Sequence, residues 1–399
     1  MRSVGVEEEL LVVDPAGVPV PKGPEALEVA ARRGEGEDTG AHDRAERGEG
    51  DGADPGHLMP ELKAQQMELG TRVCTDLADL EGELRFWRGR AESAARAVGA
   101  HVAALATSPV HVEPVATEGE RYGRIVEVFD RTARDVLTCG CHVHVSVADD
   151  EEGVAVLNRI RGWLPVLTAL TANSPFWRGA DTGYASFRSQ VWNRWPSAGP
   201  NEPFADAADY HRLVGAVLAT GTVLDDGMVY FDARLSATWP TVEVRTPDVA
   251  LHVEDAVTLA GLVRALVETG ARDAADGRPV PDVRTELLRV AAWRASRSGL
   301  AGDLVHPATG TPAPAADVLD DLLQHVRPAL RDAGDEQRVD DGQRVDDGIA
   351  ALLRRGTGAD LQRRVHRETG DLAAVARAAV GLTAGRVPDT AGAVPGPTG

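Results

Sequence analysis

The chain has no run of about 18 apolar residues, the length a membrane-crossing helix needs, and no signal-peptide pattern, so neither a span nor export is expected. Cysteine is scarce. Cys74, Cys139 and Cys141 form no even disulfide framework, and Cys139-Gly140-Cys141 lacks the spacing of a zinc knuckle. A reducing cytoplasm is the expected location. Positive charge is also short: 42 Lys and Arg face 62 Asp and Glu, a formal charge of −20. That excludes general nucleic-acid binding through a basic surface. It does not exclude small anions, which a few local arginines or metal ions can hold within an acidic protein. No glycine-rich phosphate loop follows a strand, and no nucleophilic Ser or Cys elbow is present.

What remains is the composition of a globular protein: 399 residues, 43% hydrophobic and 26% charged, enough for one large domain. Residues 33–57 are rich in Gly, Asp and Glu with almost no apolar side chain, which predicts an acidic disordered loop. Residues 384–399, with three prolines, read as a disordered tail, leaving 1–383 as a single domain. QRVDDG occurs at 337–342 and again at 343–348. Two copies make no repeat architecture and read as a duplication in a surface linker. Helical periodicity predicts helices at Leu77–Val98, Val154–Thr171 (bent at Pro165), Val253–Glu268, Glu286–Arg297, Ala316–Leu330 and Ile349–Val365. Strands are expected at 3–13, 65–73, 140–147, 228–236 and 240–247, the last two tightly connected and antiparallel. Strands separated by long helical excursions indicate an α+β fold.

Several strands carry an unusual pattern. Val4-Gly5-Val6-Glu7-Glu8-Glu9-Leu10-Leu11-Val12-Val13 holds three consecutive acids in a greasy segment. Side chains alternate along a strand, so Glu7 and Glu9 share one face, about 6.6 Å apart, and Val4, Val6, Leu10 and Val12 take the other. Glu8 falls on the apolar face, where it needs an ion-pair partner or a strand edge. The alternation returns with Glu68 in Gln66–Leu69, with His142 and His144 in Cys141–Val147, and with Glu243 and Arg245 in Thr241–Arg245. On the preceding strand Asp232, Arg234 and Ser236 share a face. Paired carboxylates suit hard cations such as Mg²⁺, and arginine suits phosphate through its fork of donors. A solvated strand face, structural histidines and a Glu–Arg ion pair would produce the same patterns one at a time. Together they supply what phosphoryl transfer needs, which is positioning and charge neutralisation. Ser174–Arg188, continuing through Trp192, Arg194 and Trp195, reads as a packed loop or as a lid whose Arg178, Arg188 or Arg194 faces a substrate carboxylate.

These residues lie in stretches that resemble the glutamate–cysteine ligase type 2 family, also called carboxylate–amine ligases: VGVEEELLVVDP, ELKAQQMELGTRVC, GCHVHVSV, LPVLTALTANSPFWRGADTGYASFR, RWPSAGP, DARLSATWPTVEVRTPDVAL and GTGADLQRR. GCHVHVS and VEVRTPD are more distantly similar to glutamine synthetase. The resemblance implies a glutamine synthetase-like curved, mainly antiparallel sheet with helices on one face. It implies ATP and Mg²⁺, with Mn²⁺ as the alternative ion. The glutamate γ-carboxylate would take the terminal phosphate of ATP, and the acyl phosphate would be captured by the amine of cysteine. It assigns Glu7, Glu9, Glu68, His142 and Glu243 as metal ligands, His144 to the nucleotide phosphates, Arg245 to the transferred phosphoryl group, and Arg234 and Arg188 to substrate or phosphate. Glu243 and Arg245 are expected on an outward face with little core packing, so that substituting them removes turnover and spares the fold. A homodimer is a family-level expectation. The alternatives are a different amine acceptor and a non-catalytic binding protein of the same fold.

Overall fold

The computed structural model describes residues 2–35, 56–333 and 345–383. The expected acidic loop falls largely on residues outside this set, as do the expected tail and the first QRVDDG copy. The described part of the second copy departs from the linker expectation: Val345 is buried and opens a helix at Val345–Arg355.

Seven strands build the central sheet: β1 (Val4–Val13), β2 (His57–Met59), β3 (Gln66–Gly70), β4 (His101–Ala103), β5 (Cys141–Ser146), β8 (Ala233–Leu235) and β9 (Thr241–Val244). Between β5 and β8, β6 (Phe176–Trp177) and β7 (Ala180–Asp181) form a small separate hairpin. The order is β2-β3-β1-β5-β9-β8, with β4 also on β1. Every pairing in this sheet is antiparallel, so the α+β architecture with a mainly antiparallel sheet is as expected. The strand expected at 228–236 is shorter. A 3₁₀ turn occupies Asp226–Met228, and the chain bends at Asp232 before β8 begins.

The apolar face carries Val4, Val6, Leu10, Val12, Met67, Leu69, Val143, Val145, Val242 and Val244, all essentially without exposure. Helices Leu77–Ala97, Asp150–Ile160 and Val253–Ala275 cover it. Asp76 starts the first of these by accepting from the Ala78 amide at 2.8 Å, the arrangement that satisfies an orphan first-turn donor. Its Leu80 and Leu84 are fully buried, each worth about 1.5–3 kcal/mol relative to exposure. The 23-residue helix Val253–Ala275 is small-residue-rich. At Gly261 a Cβ would lie 2.5 Å from Val345 Cγ2 and 2.9 Å from Leu77 Cδ1, so this glycine allows neighbouring elements to close in.

Two expected helices are each two. Asp150–Ile160 and Leu164–Leu170 are separate, with Pro165 in the first turn of the second; there it loses no hydrogen bond, whereas mid-helix it would break one. Ile349–Val365 divides at Gly356, whose φ of 86° leaves the helical region. The next helix, Gly358–Thr369, opens with a Thr357/Asp360 capping box.

On the polar side of the sheet lies a second, smaller apolar cluster of Leu62, Ile125, Ala133, Val136, Val191, Trp195, Val223 and Met228. Tyr230 packs in it, with the Arg245 guanidinium 5.8 Å from its ring centroid. Helices cover one face as expected, and this cap over the other face encloses the polar side chains.

Candidate active site

Strand register explains why the polar residues meet. Glu7 pairs with His142 across β1 and β5, and one residue further along β9 stands Arg245. The adjacent row runs from His144 on β5 to Glu243 on β9 and Arg234 on β8. Glu9 pairs with Glu68 across β1 and β3. Side chains of directly opposed residues stand about 4.5–5.5 Å apart, so three rows place eight ionisable groups on one face.

The distances give this face two ends. Toward β3, His142 Nδ1 lies 3.4 Å from Glu7 Oε2, and His142 Nε2 lies 4.0 Å from Glu9 Oε1. The other Glu9 oxygen accepts from the Gly140 amide at 2.7 Å. His144 Nε2 is 3.4 Å from Glu7 Oε1 and 4.0 Å from Glu243 Oε1, and Thr241 Oγ1 sits 3.0 Å from its Nδ1. Toward β8, Arg234 Nε donates to Glu243 Oε2 at 2.6 Å, and Arg245 Nη1 donates to Glu243 Oε1. Arg234 is also held by the carbonyls of Asp226, Gly227 and Val229. Glu243 is 1% exposed and Arg245 8%. The expectation that these two carry little packing is therefore corrected. The cap covers them, and they form a desolvated Arg–Glu–Arg clamp whose integrity also bears on stability.

Electrostatics follows the geometry. Burial pushes Glu68 well above the carboxylate range, with Glu7, Glu61 and Glu9 adding like charge. Glu61 is pushed up to about 7 by burial and by Glu9. Burial also opposes ionisation of Glu7, but the charge of His144 and a hydrogen bond from His142 hold it well below the usual range. Glu243 is buried too, and Arg245 and Arg234 overcome that and hold it low. Burial and Arg245 push His142 down. Burial disfavours charged His144, yet Glu7 and Glu243 raise it.

Two sets of donor atoms lie within 4.8 Å of one another: Glu7, His144 and Glu243, and Glu7, Glu68 and His142. Glu7 belongs to both. The Nε2 atoms of His142 and His144 are buried without a hydrogen-bond partner, which is costly unless something accepts or coordinates there. Carboxylate-rich sets with one imidazole each fit a hard divalent cation. The like charge of Glu7 and Glu9 that helps burial raise Glu68 and Glu61 at the β1–β3 end fits the same ion.

Of the nine residues singled out from the sequence, eight share this face. Arg188 comes to the end of this face from a loop and not from a strand of the sheet: it is 2% exposed, and its guanidinium donates to the carbonyls of Thr246 at 3.2 Å and Arg245 at 3.4 Å. Arg178 pairs with Asp135 at 2.7 Å. Glu8, unassigned by pattern, is fully buried against Arg88 with oxygens at 2.6 and 2.7 Å. Glu61 was missed. It lies in the loop before β3, fixed by Thr117 Oγ1 donating to its carbonyl at 2.5 Å and by the Thr117 amide donating to Leu62. No strand alternation marks a loop residue; only its place four residues before the Gln65-Gln66-Met67-Glu68 segment hinted at proximity. Among the described residues no helix is long and apolar enough to cross a membrane.

Comparison with known proteins agrees. Residues 3–376 match the model of the family described as glutamate-cysteine ligase family 2. A Streptomyces coelicolor protein named "Putative glutamate–cysteine ligase 2" is 48% identical over 383 residues, covering 96% of this chain and 99% of that protein. A Paenarthrobacter aurescens protein, "Putative glutamate–cysteine ligase 2-1", is 48% identical over 385 residues, covering 96% and 95%. Among solved structures, a bifunctional glutathione synthetase from Pasteurella multocida superposes with a TM-score of 0.67 at 13% identity, over 96% of this chain and 52% of that one. The present chain thus spans about half of that protein. Glutamate–cysteine ligase from Francisella tularensis, solved in complex with AMP, gives 0.62 at 12% identity, over 96% and 89%. These two likenesses are of fold. The family match across nearly the whole length and the two relatives at 48% identity place the chain in glutamate-cysteine ligase family 2, as an enzyme of the ligase class.

Proposed function

We propose that this ligase joins the γ-carboxylate of L-glutamate to the amine of L-cysteine at the expense of ATP, with Mg²⁺ or Mn²⁺, by way of γ-glutamyl phosphate. The observation that carries the reading is the pair of ligand sets sharing Glu7 beside the Arg234–Glu243–Arg245 clamp. A carboxylate is a poor acyl donor at neutral pH. Transfer of the terminal phosphate to it makes a leaving group, and attack by the amine then releases phosphate and forms the amide. Divalent ions held by Glu7, Glu68, His142, His144 and Glu243, with Glu9 and Glu61 alongside, would neutralise phosphate charge and bring glutamate and nucleotide together.

The chain's own residues do the rest. Glu243 fixes the Arg245 guanidinium through Nη1, and Arg245 Nε is buried with no partner, so a pre-aimed donor faces the place where phosphoryl charge develops. Arg234 completes the clamp, so that Arg245 does not pull Glu243 away from the ligand set. The cap around Trp195 and Tyr230 excludes water, which would otherwise hydrolyse an acyl phosphate. The amine acceptor rests on similarity to the named relatives.

The test is ADP release from ATP and glutamate with the amine varied. Stimulation by cysteine, with γ-glutamylcysteine as product, supports the reading. Stimulation by another amine alone replaces the acceptor and keeps the chemistry. ATP binding with no turnover for any amine would sink it.

A further inference from the structure

Gly140 immediately precedes β5, opposite Glu9 of β1 at the edge of the ligand set, and its backbone needs no glycine, since its φ is not in the left-handed region. The requirement is one of space. A Cβ there would lie 2.2 Å from Arg188 Nη2, 2.9 Å from Arg188 Cζ and 3.1 Å from His142 Nε2. Contacts under about 3 Å must be relieved by movement, and interiors are packed too closely to absorb it freely. The guanidinium of Arg188 thus occupies the position where residue 140 would carry a side chain, beside the orphan nitrogen of His142.

Both sides of this contact are fixed. Gly140 donates its amide to Glu9 Oε2 at 2.7 Å and accepts the Glu9 amide at 3.1 Å. Arg188 is held by the Thr246 and Arg245 carbonyls and stacks over Trp192, its Cζ 5.4 Å from the ring centroid. Its own amide donates to Ser174 Oγ at 2.9 Å. Ser174 Oγ and Ser186 Oγ in turn donate to fully buried Asp248, at 2.7 and 2.9 Å, and Asp248 bridges to Gly140. The loop that delivers Arg188 is tied at its far side by Arg363, which holds Asp181 at 2.6 and 3.0 Å and the Tyr184 carbonyl at 2.9 Å. Gln362 holds Asn173 as well. The GTGADLQRR segment, otherwise unconnected to the chemistry, is the anchor of this loop.

We propose that Gly140 is a positioning residue, a keyhole through which Arg188 links the Ser174–Arg188 loop to the metal-facing end of β5 and so aims Glu9 and His142. It acts through those side chains and touches no reacting atom. The inference rests on the proposed ligase function only for its activity readout, because metal binding to the free protein reads it independently.

The experiment is a double-mutant cycle of Gly140→Ala and Arg188→Met on the full chain. Three readouts are taken: Mn²⁺ binding by titration without nucleotide, the Mg²⁺ concentration for half-maximal ADP release, and Tm. Gly140→Ala should weaken Mn²⁺ binding and raise the Mg²⁺ requirement at least tenfold, with Tm lowered by only about 1–4 °C, the cost of overpacking in a chain of this length. In the Arg188→Met background, where the guanidinium is gone, adding Gly140→Ala should change either metal readout less than threefold. This non-additivity marks a shared contact. Gly140→Ala with parental Mn²⁺ binding overturns the proposal, as does strict additivity of the two substitutions. If Arg188→Met does not fold, the Mn²⁺ affinity of Gly140→Ala alone decides. If the parent binds Mn²⁺ but turns over no amine, the function reading fails and this one still stands or falls on the metal titration.

Discussion

The three consecutive acids of β1 should fail in different ways when neutralised, and Glu8 gives the sharpest case. Glu8 and Arg88 are both fully buried and meet through two hydrogen bonds of 2.6 and 2.7 Å, while Arg88 also donates to the carbonyls of Ala250 at 2.7 Å and Leu251 at 3.2 Å. Glu8→Gln keeps the shape but leaves a buried guanidinium with carbonyl partners and no counter-charge. Arg88→Met leaves a buried carboxylate and strips a donor from the carbonyls of Ala250, Leu251 and Thr383. Breaking one side of a buried pair costs about 3–5 kcal/mol. Unfolding entropy near 2.1 cal/mol/K per residue gives about 0.8 kcal/mol/K for a chain of this length, so Tm should fall by about 4–6 °C for either variant. The double variant removes both charges and should be less destabilised than the sum, by about 2 kcal/mol. Scanning calorimetry measures all three. Glu8 faces away from the ligand sets, so Glu8→Gln should keep the parental response of Tm to added Mg²⁺. A Tm change below about 1 °C in both single variants, or strict additivity, would refute the reasoning that this pair locks the helix Leu77–Ala97 to the back of the sheet.

Glu7→Gln should do the reverse, losing turnover and the Mg²⁺-induced stabilisation, expected in the parent to be about 2.7 kcal/mol at a hundredfold excess over Kd and read as a rise in Tm; a retained rise would remove Glu7 from the ligand sets. Glu243→Gln should abolish ADP release and lower Tm by several degrees, because two desolvated arginines lose their shared partner; loss of activity with unchanged Tm would contradict the clamp. His252 is pushed down to about 4 by burial and by Arg355. It is neutral when folded at pH values where the unfolded chain binds a proton, so the parent should lose stability as pH falls from about 6.5 toward 4. His252→Gln should flatten that part of the Tm–pH profile; identical profiles would falsify the assignment.

What the sequence reveals is what period-two alternation encodes. Glu7 and Glu9, His142 and His144, and Glu243 and Arg245 each sort to one face by local geometry, and the register then assembles them. What it hides depends on distance along the chain. The partner of Glu8 is eighty residues away on a helix, and nothing local to β1 names it. Glu61 reaches the site from a loop, where no periodicity marks direction. Arg188 reads in sequence as part of a packed loop or of a lid, and its burial at the end of β5 depends on Asp248 and Gly140, which lie far along the chain and make room and anchorage for it. The division of Asp150–Leu170 into two helices reflects a similar ambiguity. Apolar spacing continues through the break, and Pro165 is as compatible with a new first turn as with a bend.

The polarity of the site resolves the apparent conflict between a −20 chain and an anionic nucleotide. Acids crowd the β1–β3 end, where Glu7, Glu9, Glu61 and Glu68 repel one another, and arginines dominate the β8–β9 end. A cation at the first end would relieve repulsion that folding alone has to tolerate, and phosphate charge would then lie between that cation and Arg245. The protein's overall charge is screened within about 10 Å at 0.1 M salt, whereas these groups lie within a few ångströms of one another. The local gradient therefore governs substrate charge. The same reasoning explains why Arg245 needs Glu243 beside it. An unpaired buried guanidinium would be costly to fold, and one paired with two carboxylates of its own would carry no net positive charge toward a phosphate. Sharing Glu243 with Arg234 leaves one net positive charge on the three groups, and Arg245 Nε is still able to give a hydrogen bond.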